Sequence, residues 1–156
     1  KLLRNQLNMF EHFFDKDLFL HLSGDITKED VIKTMYEKAH DKGIVDERFI
    51  DSVLQREEIG DTNMNEVFAL PHPMELCATD TKVVVALLDT PIKWNESNSI
   101  QIVFMLVIKQ GEMQDFEHLY DIFIEIINDN KLEQKIIDSR TYDEFINVLY
   151  DGISIE

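Results

Sequence analysis

Two nearly unbroken apolar runs constrain this chain more than any other feature: "KVVVALLD" at 82–89 and "SIQIVFMLVIK" at 99–109. Both are rich in β-branched residues and leave almost no polar face, as a strand covered on both sides does. A sheet buried twice needs helices above and below it, and the rest of the chain supplies amphipathic segments. "DITKEDVIKTMYEKAHDKG" places Val31, Ile32, Met35 and Ala39 on one helical face, with Thr27 and Asp30 resembling a capping box and Gly43 as the stop. "DERFIDSVLQREE" does the same through Phe49, Ile50, Val53 and Leu54. After Gly111 a helix is predicted on the face of Phe116, Leu119, Tyr120, Phe123, Ile126 and Ile127, followed by helices in "KLEQKIIDS" and "TYDEFINVLYDG". "LFLHL" at 18–22 and "VFAL" at 67–70 read as short strands. The expected fold class is α/β, a central mixed sheet sandwiched by helices.

The 156 residues suit one domain with a real core. The chain opens without methionine on "KLLRNQLNMFEHFF", so 1–14 reads as a linker or leading helix of a longer protein and 15–153 as the domain. No apolar run reaches the length of a membrane span and no signal-peptide pattern opens the chain. Cys77 is the only cysteine, which excludes a disulfide framework and fits a reducing cytoplasm. The formal charge of −16 argues against binding nucleic acid and favours encounter with a basic partner. Charge alone is equally consistent with a solvated acidic surface.

Absences narrow the chemistry. The five glycines are scattered, so there is no phosphate-cradling loop and no evident nucleotide site. Histidines at 12, 21, 40, 72 and 118 show no zinc-type spacing, so neither metal nor cofactor is expected. Cys77 lacks a local activating pattern and reads as a small buried thiol. There remains His72, between Pro71 and Pro73. Each proline fixes its own φ and biases the residue before it toward extended backbone, so the imidazole is rigidly presented. A histidine in a proline-rich turn is more often structural, but an exposed neutral imidazole can also accept a group and pass it on. Arg56, one of four arginines, ends the second helix shortly before this segment. His118 shares a helical stripe with Ile122 and Ile126, where it could be a satisfied core residue or a hydrogen-bond donor at the rim of a site.

"LQREEIGDTNMNEVFALPHP" resembles the signature of the enzyme IIA domains of the fructose–mannitol class, from the bacterial phosphoenolpyruvate-dependent sugar phosphotransferase system. That pattern is an Arg-Glu pair, a Thr, then a hydrophobic strand ending Ala-hydrophobic-Pro-His. Here it falls on Arg56, Glu57, Thr62, Ala69, Leu70, Pro71 and His72. The resemblance covers roughly 15–153. It implies the enzyme IIA fold, His72 as phosphoryl acceptor through Nε2, and Arg56 and His118 as groups that steady the phosphoryl. The donor it implies is the phosphocarrier HPr. This describes a phosphohistidine carrier rather than a small-molecule enzyme.

Transport-type members usually carry glycine before the alanine and after the histidine, where this chain has Val67-Phe68 and Pro73. Pro-His-Pro is more similar to enzyme IIA domains fused to sugar-operon activators and antiterminators. The leading expectation is therefore a regulatory domain within such a protein, without direct nucleic-acid or membrane contact. Two alternatives stay open: a transport component passing phosphate to a IIB domain, and an interaction module that no longer turns over phosphate.

Overall fold

The computed structural model describes residues 11–152. Strand β1 is Phe19–Leu22, β2 Phe68–Ala69, β3 Lys82–Lys93 and β4 Ser99–Val107. Helices α1 Lys28–Asp41 and α2 Glu47–Ile59 lie between β1 and β2. Helices α3 Met113–Ile127, α4 Asn130–Asp138 and α5 Tyr142–Gly152 follow β4. The sheet order is β1-β3-β4-β2, with β3 and β4 antiparallel and each outer strand parallel to its neighbour. The sheet is mixed, and the α/β fold expected from sequence is the one observed.

The two apolar runs are the central strands, and their period of two divides them between two cores. Val83, Val85 and Leu87 of β3 join Ile102, Phe104 and Leu106 of β4 against α3, α4 and α5. Val84, Ala86, Leu88, Val103, Met105 and Val107 face the other way, against Val31, Ile32 and Met35 of α1 and Phe49 and Val53 of α2. On the first face Phe104 is fully buried and meets four rings, with centroid distances of 6.3 Å to Phe14, 5.7 Å to Phe68, 5.0 Å to Phe123 and 5.9 Å to Phe145. Burying one such ring contributes about 1.5–3 kcal/mol by area, before the ring–ring geometry is counted.

Local signals set most element ends. Thr27 and Asp30 form a reciprocal capping box at the start of α1, and Gly43 past its end takes φ +78°, open to glycine without strain. Strand β3 runs beyond the expected end at residue 89. Leu87 pairs with Ile102 but Ile92 with Ile100, so the extra residues, Pro91 among them, form a bulge. Strand β2 is shorter than the expected 67–70 because Pro71 has no N–H to continue the ladder, while the Leu70 N–H, on the side away from β4, donates to the Thr62 carbonyl at 3.0 Å.

Of the expected leading segment 1–14, residues 1–10 lie outside the described residues, as does residue 153. Phe14 is buried in the first core, and the Phe13 carbonyl accepts from the Val83 N–H at 2.8 Å. Among the described residues no helix is long and apolar enough to cross a membrane.

Candidate functional site

The site lies where β2 leaves the sheet edge. Asn65 Oδ1 accepts from the N–H groups of Val67 and Phe68, both at 2.7 Å, and starts the strand. Two residues pair with β4, after which proline ends the ladder. Pro71 has no N–H to give, but its carbonyl accepts from Leu106 N at 2.9 Å, so the chain stays on the sheet up to the histidine. Beyond Pro73, Ser52 of α2 ties down the returning loop: its Oγ accepts from Met74 N at 2.9 Å and Glu75 N at 3.2 Å. His72 is thus held from both sides, which the prolines alone could not achieve.

The ring itself is oriented by backbone. His72 Nδ1 lies 2.8 Å from the Leu70 carbonyl oxygen. A carbonyl only accepts, so Nδ1 carries the proton and Nε2 keeps its lone pair. Phe116 of α3 meets the imidazole edge-on, with centroids 5.3 Å apart and planes at 70°. His72, Arg56, Pro73, Met74, Glu75, Leu76, Met113 and Phe116 line a cavity of about 560 Å³. Met74 and Met113 are exposed on its rim.

Burial pushes the His72 imidazole below its ordinary value, the Leu70 carbonyl raises it, and the positive charge of Arg56 lowers it again. The neutral, nucleophilic form is favoured. Because the folded chain binds fewer protons here than the unfolded chain, this group's contribution to stability is fully present above about pH 6.5 and is lost as pH falls. A ring titration followed by NMR should give a midpoint below about 6.5, and a midpoint above that would contradict the burial.

Arg56 stands at the C-terminal end of α2, where it donates from Nη1 to the Gly60 carbonyl at 2.6 Å. No carboxylate neutralises it among the described residues. Its neighbour Glu57 is engaged elsewhere: Lys28 Nζ lies 2.9 Å from Oε1, the Thr62 N–H reaches the same oxygen at 3.4 Å, and the Thr62 hydroxyl donates to Oε2. The guanidinium keeps free donors beside the cavity.

The structure brings Arg56 and His72 to one cavity, but His118 is not among its lining side chains. His118 sits on α3 two positions beyond Phe116, and its Nε2 is buried with no hydrogen-bond partner among the described residues. Such an orphan carries a desolvation cost and calls for a partner. The sequence offers no sign of Ser52 as the loop anchor. Phe116 was legible only as a core residue, whereas it also packs on the imidazole. Among the described residues no group of three His, Cys, Asp or Glu is placed to hold a metal.

The site is thus a proline-flanked histidine at the edge of a mixed sheet between two helical layers, with an arginine that has no carboxylate partner among the described residues beside it. The family model described as "Phosphoenolpyruvate-dependent sugar phosphotransferase system, EIIA 2" matches residues 12–152, and the chain belongs to that family. It is 28% identical over 147 residues to the "Probable licABCH operon regulator" of Bacillus subtilis, covering 94% of this chain but 23% of the relative. It is 25% identical over 125 residues to the mannitol-specific phosphotransferase enzyme IIA component of the same organism, covering 78% of this chain and 85% of that protein. The chain therefore spans about a quarter of the regulator and most of the transport component. In fold it matches the Escherichia coli enzyme IIA of mannitol, solved in complex with phosphorylated enzyme IIB, with a TM-score of 0.75 at 18% identity, covering 88% of this chain and 99% of that one.

Proposed function

We propose that His72 accepts a phosphoryl group on Nε2 from the phosphohistidine of HPr, and that the chain serves as the regulatory domain of a sugar-operon transcription regulator. The observation that carries this reading is the hydrogen bond from His72 Nδ1 to the Leu70 carbonyl, which leaves Nε2 as the one ring nitrogen able to attack. In the transfer, Nε2 forms a bond to phosphorus while the donor's N–P bond breaks, and that electron pair returns to the donor's ring. Charge spread over the phosphoryl oxygens meets the planar fork of Arg56, and His118 adds a hydrogen bond once its side chain turns its buried Nε2 toward the cavity. The donor is itself a phosphoprotein, so no nucleotide site is needed. The exposed Met74 and Met113 around the cavity give a protein donor apolar surface to meet, and the acidic chain suits a donor with a basic face.

The regulatory assignment is supported by the match to the operon regulator along nearly the whole chain and by Pro73 in place of the transport-type glycine. The match to the mannitol enzyme IIA component favours a second reading, in which the phosphoryl passes on to a IIB domain. The test is to incubate the chain with phosphoenolpyruvate, enzyme I and HPr, and then to offer IIB domains. The expected product is an acid-labile, alkali-stable phosphoryl group that chases to no IIB partner. Efficient chase to a IIB cysteine would move the chain to the transport class, and no label at all would reject the acceptor role.

A further inference from the structure

Lys28 stands where helix electrostatics disfavour it. It is the first residue of α1, beside the partial positive charge of the helix N-terminus, where Asp and Glu are preferred. Its side chain nevertheless crosses to α2 and the loop after it. Nζ lies 2.9 Å from Glu57 Oε1, 3.0 Å from Asp61 Oδ1 and 4.8 Å from the centroid of the Trp94 ring. Both ends of the main pair are sheltered, the Lys28 side chain being 18% exposed and that of Glu57 6%. A carboxylate so buried is strongly destabilising without a partner, so the lysine and carboxylate depend on each other.

Glu57 is also the first link in a line of hydrogen bonds that ends on His72. The Thr62 hydroxyl and N–H both donate to Glu57. The Thr62 carbonyl accepts from Leu70 N at 3.0 Å, and the Leu70 carbonyl accepts from His72 Nδ1 at 2.8 Å. The peptide that receives the ring proton is thus placed by a residue whose position depends on Glu57. We infer that Lys28 is a positioning residue for phosphoryl transfer: by engaging Glu57 it holds, through Thr62 and Leu70, the His72 ring with Nε2 free to react. This rests on the reading of His72 as the phosphoryl acceptor.

The experiment compares wild type, Lys28→Met, Lys28→Arg and Lys28→Gln in the full chain, with two readouts. The first is the ring tautomer of His72 by ¹⁵N NMR, which needs no phosphorylation. The second is the rate of phosphoryl transfer from phospho-HPr. Lys28→Met should mix the tautomers and slow transfer about 10- to 100-fold, the scale of loss when a reacting group is slightly misplaced. Lys28→Arg should restore both, since it keeps the charge. In a Glu57→Gln background, Lys28→Met should cost a clearly smaller factor, because no carboxylate is left unpaired. A folded Lys28→Met with wild-type tautomer and rate overturns the inference, as does an equal loss in the Glu57→Gln background. Should Lys28→Met fail to fold, Lys28→Gln decides, and wild-type tautomer and rate there overturn the inference equally. If the wild type takes no phosphoryl from HPr, the acceptor reading fails, while the tautomer comparison still decides whether Lys28 positions the ring.

Discussion

His72→Ala should abolish phosphoryl labelling by phosphoenolpyruvate, enzyme I and HPr while leaving the fold in place. Phosphoryl transfer to this chain requires a nucleophile with a free lone pair beside a stabilising cation. The backbone proton acceptor at Leu70 leaves His72 Nε2 its lone pair, the property such a nucleophile needs. The ring is only partly buried, at the edge of the sheet, and makes a T-shaped contact with one aromatic neighbour, Phe116. Its removal leaves both cores untouched, so the far-ultraviolet circular dichroism should match wild type. Label on the variant at anything near the wild-type level would place the acceptor elsewhere. Of the other described histidines, the exposed His12 and His40 are not among the side chains lining the Arg56 cavity. His21 is tied to Asp89 at 3.1 Å and Arg140 at 3.2 Å, and His118 Nε2 is buried.

Arg56→Ala should leave binding of the donor largely intact and slow the transfer itself by roughly 10²-fold or more, as removal of a preorganised donor to developing charge does. An effect of this size requires a guanidinium that no carboxylate neutralises. Arg56 donates to the Gly60 carbonyl, a neutral partner that orients the fork without cancelling its charge. Glu57, the adjacent carboxylate, is satisfied by Lys28 and Thr62. Arg56→Lys keeps the charge but not the planar fork, so it should recover part of the rate and not all of it. Single-turnover kinetics with phospho-HPr separate the two effects, and an unchanged transfer rate in Arg56→Ala would remove this residue from the site.

The contrast between these residues and Lys28 marks how far the sequence can be read. His72 and Arg56 were visible because each stands out locally, one by its flanking prolines and the other as a rare arginine closing an amphipathic helix. Helix α1 was legible for the same local reason: Thr27 and Asp30, three positions apart, cap its start, Gly43 follows its end, and its apolar face repeats with the helical period. The two long strands declared themselves by continuous apolar character. Pro91, by contrast, would be expected to end β3, yet the strand passes it through a bulge because β4 supplies partners on the far side. Leu70 reads as one more strand residue, but its N–H and carbonyl, on the side of β2 away from β4, bind the Thr62 carbonyl and the His72 ring.

By itself, then, the sequence determined the elements and the sandwich of helices about a buried sheet, and it singled out His72 and Arg56 as candidates. Those properties follow from periodicity, caps and backbone restriction, which act over a few residues. Only the tertiary structure decided the strand order that puts β2 at an edge, the division of β3 and β4 between two cores, the carbonyl that sets the His72 tautomer, and the pairing of Lys28 with Glu57. Each of these joins groups brought together by packing and desolvation, and the strength of a buried charge pair or an oriented ring proton depends on surroundings that no local pattern records.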